Sequence, residues 1–188
     1  MNTLKRTLAE MQAEIRDCLD AVSDQAVEQA VEDILSAGKI VLAAAGRSGA
    51  ALRAGAIRLR HLGLDAYLSG ETSTPPVGPG DLLIAGSGSG RTQSVLAQAG
   101  KAQQAGTRLL LFTIDPASPL AESADTVVVI PASSPKAEGP AQAKTSIQPM
   151  ASLFEQCLFL LMDAMVILLM KRLGATSEDM FKRHANLE

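Results

Sequence analysis

In Asp81-Leu82-Leu83-Ile84-Ala85-Gly86-Ser87-Gly88-Ser89-Gly90-Arg91-Thr92 an apolar β-type run passes directly into a turn of glycine and hydroxylated residues. A helical pattern follows from Arg91 to Ala105 and stops at Gly106. A buried strand, a glycine-rich turn and a helix in immediate succession are the building block of a parallel sheet. The unit recurs upstream: Lys39 to Ala45 is a second apolar run, closed by Gly46-Arg47-Ser48-Gly49, with Ala50 to Leu62 helical behind it. Further strands are expected at Leu64 to Ser69, Thr107 to Ile114 and Thr126 to Ile130. Five apolar strands separated by helices predict an α/β fold, a three-layer α/β/α arrangement around a five-stranded parallel sheet.

The flanks add helices. Leu4, Leu8, Met11, Ile15 and Leu19 recur at three- and four-residue steps and predict an amphipathic first helix. Ser23 or Asp24 is placed to cap a second, ending near Ala37 before Gly38. Residues 131–148 hold four prolines or glycines and read as a long loop, with Pro149 expected in the first turn of the helix beyond it. That helix carries Leu158-Phe159-Leu160-Leu161-Met162 and Ala164 to Met170 on either side of Asp163. Each uncharged stretch falls short of the ~20 residues that cross a bilayer, so burial in a domain or an oligomer is expected. A last short helix runs from Ser177 to about Arg183, capped by Ser177 or Thr176. No internal repeat or interdomain linker is visible.

Composition narrows the chemistry. The chain has 188 residues, 47% hydrophobic, 20% charged, with a net charge of −3. Without a basic excess, nucleic acid is not an expected partner. Aromatics are 3% and Trp is absent, which argues against base-stacking platforms. Cys18 and Cys157 are far apart in sequence and share no ligand spacing with His61 or His184, so neither a metal site nor a disulfide is expected. Free thiols suit a reducing cytoplasm. The N-terminal residues are charged throughout and give no apolar signal core, so no targeting or membrane role is expected.

What remains is chemistry at strand ends, where open α/β sheets bind ligands. Residues 46–49 and 87–92 form two polar, glycine-rich turns, each ahead of a helix whose amide groups and dipole face the turn. The second gathers Ser87, Ser89 and Thr92 within six residues, with Gly88 and Gly90 allowing close backbone approach, a nest suited to a phosphate monoester. Neither the Walker pattern nor the three-glycine dinucleotide pattern is present. Arg47 and Ser48 add charge and a hydroxyl at the first turn. Glu155, in the first two turns of the apolar helix, is partly out of water, which suits a general base; the plainer alternative is a favourable charge near a helix N-terminus. Glu71 follows a strand and either lines the same face or is a solvated loop residue. His61 sits at a helix end and reads as structural. His184 lies almost at the chain end, either a free tail or a group reaching over a neighbouring subunit.

The motifs Gly46-Arg47-Ser48-Gly49, Arg58-Leu59-Arg60-His61-Leu62-Gly63, Gly70-Glu71-Thr72-Ser73-Thr74-Pro75, Ser87 to Thr92, Ser118-Pro119-Leu120-Ala121, Gln148 to Gln156 and the terminal Arg183-His184-Ala185-Asn186-Leu187-Glu188 span nearly the whole chain. Together they resemble the sugar isomerase (SIS) domain, and within it the 6-phospho-3-hexuloisomerase family of the ribulose monophosphate pathway of formaldehyde fixation. The resemblance implies one flavodoxin-like SIS domain over residues 1–188, with 1–37 as an N-terminal helical segment and 38–188 as core and C-terminal helices. It implies a cytoplasmic enzyme, assembled as a homotetramer, that interconverts D-arabino-hex-3-ulose 6-phosphate and fructose 6-phosphate through an enediol without metal or cofactor. By the same resemblance Glu155 is the carbon-side base and His184 the oxygen-side acid/base, contributed by an adjacent subunit. Ser48, Ser87, Ser89, Thr92 and the backbone of Gly88 and Gly90 hold the phosphate, and Arg47 balances charge or meets sugar hydroxyls. The loop after the last strand departs from the family pattern and offers Ser134 or Lys136. Two alternatives share the phosphate nest: another aldose/ketose phosphate isomerase of this fold, and a non-enzymatic sugar-phosphate-binding regulator.

Overall fold

In the computed structural model, which describes residues 3–133, 135 and 145–186, the five apolar runs form one sheet. The strands are β1 (Ile40–Ala44), β2 (Ala66–Leu68), β3 (Leu82–Gly86), β4 (Arg108–Thr113) and β5 (Thr126–Val129), in the spatial order β2-β1-β3-β4-β5 with every pair parallel. The helices are α1 (Thr3–Asp20), α2 (Asp24–Leu35), α3 (Gly46–His61), α4 (Gln93–Gln104), α5 (Pro119–Ser123), α6 (Ser152–Leu173) and α7 (Ser177–Phe181).

Side-chain alternation along the strands divides the core between the two faces of the sheet. Ile40, Leu42, Leu82, Ile84, Leu110, Phe112 and Val128 point to the side covered by α2, α3 and α6. Val41, Ala43, Leu83, Ala85, Leu109 and Leu111 point to the side covered by α4 and α5. The chain crosses from β1 to β2 through α3 and from β3 to β4 through α4. Strand order therefore reverses between β1 and β3, the place where an open α/β sheet leaves a crevice beyond its strand ends. Register sharpens this: Ala44 pairs with Gly86, so the segments leaving β1 and β3 emerge side by side.

The far ends of the strands are tied by buried charge. Asp81 accepts hydrogen bonds from the amides of Lys39 and Gly78, 2.9 Å each, and pairs with the Lys39 ammonium at 3.1 Å. Burial pushes its carboxyl up, but these donors outweigh burial and hold it below the ordinary value. Asp33 of α2 similarly gathers Arg108 of β4 at 2.8 Å and Thr126 of β5 at 2.6 Å.

Several local expectations are corrected. Residues 46–49 are the first turn of α3, not a turn ahead of it. The first turn of a helix accepts Ser and Gly at little cost, so their turn-like composition misplaces its start. Arg91 lies outside α4, which begins at Gln93. Pro149 lies before α6, which starts at Ser152 after Met150 adopts φ +60°. Glu14 of α1 holds this approach, accepting hydrogen bonds from Ser146 Oγ (2.7 Å), the Ile147 amide (2.8 Å) and Gln148 Nε2 (3.1 Å). The apolar stripe of α1 is only half used: Ile15, Cys18 and Leu19 meet the core, whereas Leu4 and Leu8 are exposed. Cys18 and Cys157, remote in sequence, are both buried in the core, where the neighbouring Cys18 thiol and burial push the Cys157 thiol up.

At 22 residues α6 is long and apolar enough, by length and composition, to cross a membrane. Half of its most apolar stretch is nevertheless buried inside the protein, against α1, α2 and α3. Its outward face leaves Phe159, Leu160, Ile167 and Leu168 exposed.

Candidate active site

The first wall of the crevice is the start of α3. The first amides of any helix lack intrahelical partners, and here Ala45 offers no side-chain cap, so this terminus faces the crevice as a donor surface. Arg47 and Ser48 belong to that first turn, Arg47 exposed and Ser48 half-buried.

The second wall is the segment leaving β3. Gly90 N–H donates to Ser87 O at 3.0 Å and closes a tight turn. The turn is fastened to the end of β4, since Gly88 O accepts from the Ile114 amide at 3.0 Å and from Thr113 Oγ1 at 3.2 Å. Gly90 has φ +61°, and a Cβ there would lie 1.9 Å from Ser118 Oγ; only glycine fits. Ser87 is buried and its Oγ lies 2.9 Å from Thr92 Oγ1, while Ser89 and Thr92 are half-buried. Thr92 is the N-cap of α4, yet its hydroxyl pairs with Ser87 instead of capping the helix, leaving the helix-start amides to other acceptors.

An ion pair braces this turn that the sequence did not disclose. Arg91 Nη1 contacts Asp115 Oδ2 at 2.6 Å and Ser89 O at 3.0 Å. Burial pushes Asp115 up, but Arg91 and the Ala117 amide outweigh it, so its carboxyl stays below the ordinary value. Its signal in the sequence was an Asp at the end of a core strand, beside the neighbouring strand's Arg-bearing turn.

Helix α6 brings the carboxylate. Phe154 packs against the Ser-rich turn, its Cδ1 3.3 Å from where a Gly88 Cβ would stand. The next residue, Glu155, meets the other wall: Arg47 Nε lies 2.5 Å from Glu155 Oε2. The Glu155 side chain is 15% exposed, that of Arg47 67%. Both line a cavity of about 470 Å³ that extends between α1, α3 and α6 past Ile15 to Phe159.

Glu71, just beyond the carboxyl end of β2, is exposed and pairs with Arg53 of α3 at 2.8 Å. Ser134 and Lys136 fall outside the described residues. His184 is not a loose tail. Its ring centroid is 5.3 Å from that of His61 and 6.0 Å from that of Phe181, beside a second cavity of about 440 Å³. Its Nδ1 lies 2.9 Å from Ala185 O; a carbonyl only accepts, so Nδ1 donates and Nε2 is left for chemistry. Arg47 opens α3 and His61 ends it, which at roughly 1.5 Å per residue sets them about 21 Å apart along the axis. Within one chain, therefore, Glu155 and His184 do not share a site. Among the described residues no cluster of three or more His, Cys, Asp and Glu is placed to hold a metal ion.

The SIS domain family profile matches residues 33–162. A Bacillus subtilis protein named 3-hexulose-6-phosphate isomerase is 42% identical over 181 residues, spanning 96% of this chain and 97% of its own length. A Mycobacterium gastri protein of the same name is 40% identical and spans 98% and 92%. A Methanococcus jannaschii protein, whose crystal structure was reported to infer the molecular function of 3-hexulose-6-phosphate isomerase, superimposes with a TM-score of 0.83 at 32% identity, covering 97% of this chain and 99% of that one. Sheet order, strand-end site and full-length relatives agree: the chain belongs to the SIS domain family, in the branch that holds the proteins named 3-hexulose-6-phosphate isomerase.

Proposed function

We propose that this chain is an isomerase that interconverts D-arabino-hex-3-ulose 6-phosphate and D-fructose 6-phosphate, in the ribulose monophosphate pathway of formaldehyde fixation. One placement carries this reading. α6 sets Phe154 against the Ser-rich turn and Glu155 against the start of α3, so consecutive residues of one helix meet both sets of anion-binding groups and bring a carboxylate to the first.

Moving a carbonyl from C3 to C2 needs a carbon-side base and an oxygen-side acid/base. Glu155 takes the proton from C2, giving a 2,3-enediolate. A second group moves a proton from the C2 oxygen to the C3 oxygen, and Glu155 returns its proton at C3. Helix-start amides of α3 and α4 with Ser48, Ser87, Ser89, Thr92 and the backbone of Gly88 and Gly90 seat the phosphate. Arg47 meets the sugar hydroxyls or the charge developing on the enediol.

His184 supplies the oxygen-side step from another subunit. Its distance from its own chain's Glu155 supports that assignment, and so does the exposed apolar face of α6, which a second copy of the chain would cover. A homo-oligomer, here a tetramer, completes each site with residues from two chains.

The test couples the protein to a hexulose-phosphate synthase supplied with formaldehyde and ribulose 5-phosphate. Fructose 6-phosphate must accumulate only when both proteins are present. Folded protein that yields none overturns the assignment.

A further inference from the structure

Past α7 the described residues form no further helix, yet the residue before His184 is anchored. Arg183 Nη1 donates to His61 O at 3.2 Å and to Asp179 O at 3.3 Å. Near the end of α3, the carbonyls of Arg58, Leu59 and Arg60 are taken by the amides of Leu62, Leu64 and Gly63. Arg183 takes the next carbonyl, where the negative end of the helix dipole also favours a cation. The guanidinium lies flat on Gly63: a Cβ at that glycine would come within 3.2 Å of Arg183 Cζ and 3.3 Å of its Nε and Nη2. Gly63 thus serves two needs, a backbone at φ +88° and an open surface for the guanidinium. Next to this contact the His184 ring rests 5.3 Å from the His61 ring.

The geometry points to Arg183 as a positioning residue. It latches the C-terminal segment onto the end of α3, so that His184 is presented at a fixed height to the site of a neighbouring subunit. This rests on the proposed role of His184 and deepens it. One guanidinium nitrogen bonding two carbonyls while the planar group rests on Gly63 fixes direction as well as position, which a lysine, with no planar group, does only in part. A misplacement of about 1 Å at an acid/base costs on the order of a hundredfold in rate while leaving ground-state binding nearly intact. Arg183 therefore affects turnover, not phosphate binding.

The experiment compares Arg183→Ala, Arg183→Lys and His184→Ala in the full chain, reading kcat and KM for fructose 6-phosphate and the oligomeric state. Arg183→Ala should assemble normally and lose on the order of tenfold or more in kcat, with KM within about twofold of wild type. Arg183→Lys should regain part of that loss. Arg183→Ala co-expressed with Glu155→Gln should recover activity, because hybrid sites join an intact Glu155 half to an intact His184 half. Wild-type kcat in Arg183→Ala beside an inactive His184→Ala overturns the latch and leaves the role of His184 standing. A fully active His184→Ala overturns that role instead. Lost turnover that Glu155→Gln does not complement marks general damage and also overturns the latch.

Discussion

Arg47 Nε and Glu155 Oε2 lie 2.5 Å apart, joining the first turn of α3 to the first turn of α6. The contact is a short charge-assisted hydrogen bond between a mostly exposed cation and a mostly covered carboxylate. In the proposed mechanism Glu155 holds a proton between two carbons, which an amide cannot do. Glu155→Gln should lower kcat by about 10²–10⁴-fold and change KM only modestly. Arg47→Ala should lower kcat less and raise KM, since it removes a sugar or charge contact and leaves the base in place. Steady-state kinetics of both variants decide the matter; near-normal turnover in Glu155→Gln removes it as the base.

The Ser-rich turn should govern binding. Ser87 and Thr92 share a hydrogen bond, and a phosphate oxygen would compete for the same hydroxyls. Hydrogen bonds to a charged group contribute roughly 1.5–3 kcal/mol each. Changing Ser87 and Ser89 together to Ala should raise KM on the order of tenfold or more, with a smaller effect on kcat, and should weaken competition by inorganic phosphate in parallel. A double variant with wild-type KM places the phosphate elsewhere.

How far the sequence foretells this site depends on what each residue needs. The five strands are legible because a buried parallel sheet requires continuous apolar runs, and their ends fall within a residue or two of the expected positions. That Ser87, Ser89 and Thr92 gather at one turn is legible because they are local. The pairing of Arg47 with Glu155 and of Arg91 with Asp115 and the closeness of Cys18 to Cys157 are not, because each joins distant segments and leaves no spacing to read. The start of α3 is misread because glycine and serine suit a helix's first turn as well as a loop. His184 reads as a possible tail because nothing near it in sequence shows that Arg183 meets the end of α3.

Gly90 tests the rigidity of the turn. Gly90→Ala would carry a left-handed backbone and bring its Cβ within 1.9 Å of Ser118 Oγ and 2.3 Å of Ser118 Cβ. Ser118 is fully buried, and its hydroxyl donates to Asp115 O at 2.8 Å, so it has little room to move. Backbone strain and overpacking each cost about 1–3 kcal/mol. Urea unfolding should show a loss in that range or above it, with KM rising as the turn shifts. A variant with unchanged midpoint and KM would show that the turn yields freely.

Asp115 and Arg91 give the turn a pH dependence with a definite sign. The folded carboxyl is held below its ordinary value, close to 3.9 in an unfolded chain. The group thus adds stability that is complete above about pH 4–5 and is lost as pH falls through the lower folded value. In Asp115→Asn this contribution is absent at every pH, and the half-buried Arg91 loses its Asp115 carboxylate. The variant should be less stable than wild type by about 1–3 kcal/mol at pH 7. The gap should narrow toward pH 3, where wild type also begins to lose the charge. Urea unfolding of both proteins at pH 7, 5 and 3 measures it. A gap constant down to pH 3 would mean that the Asp115 charge contributes nothing to the turn; a narrowing gap with a raised KM in the variant would tie the ion pair to the phosphate seat.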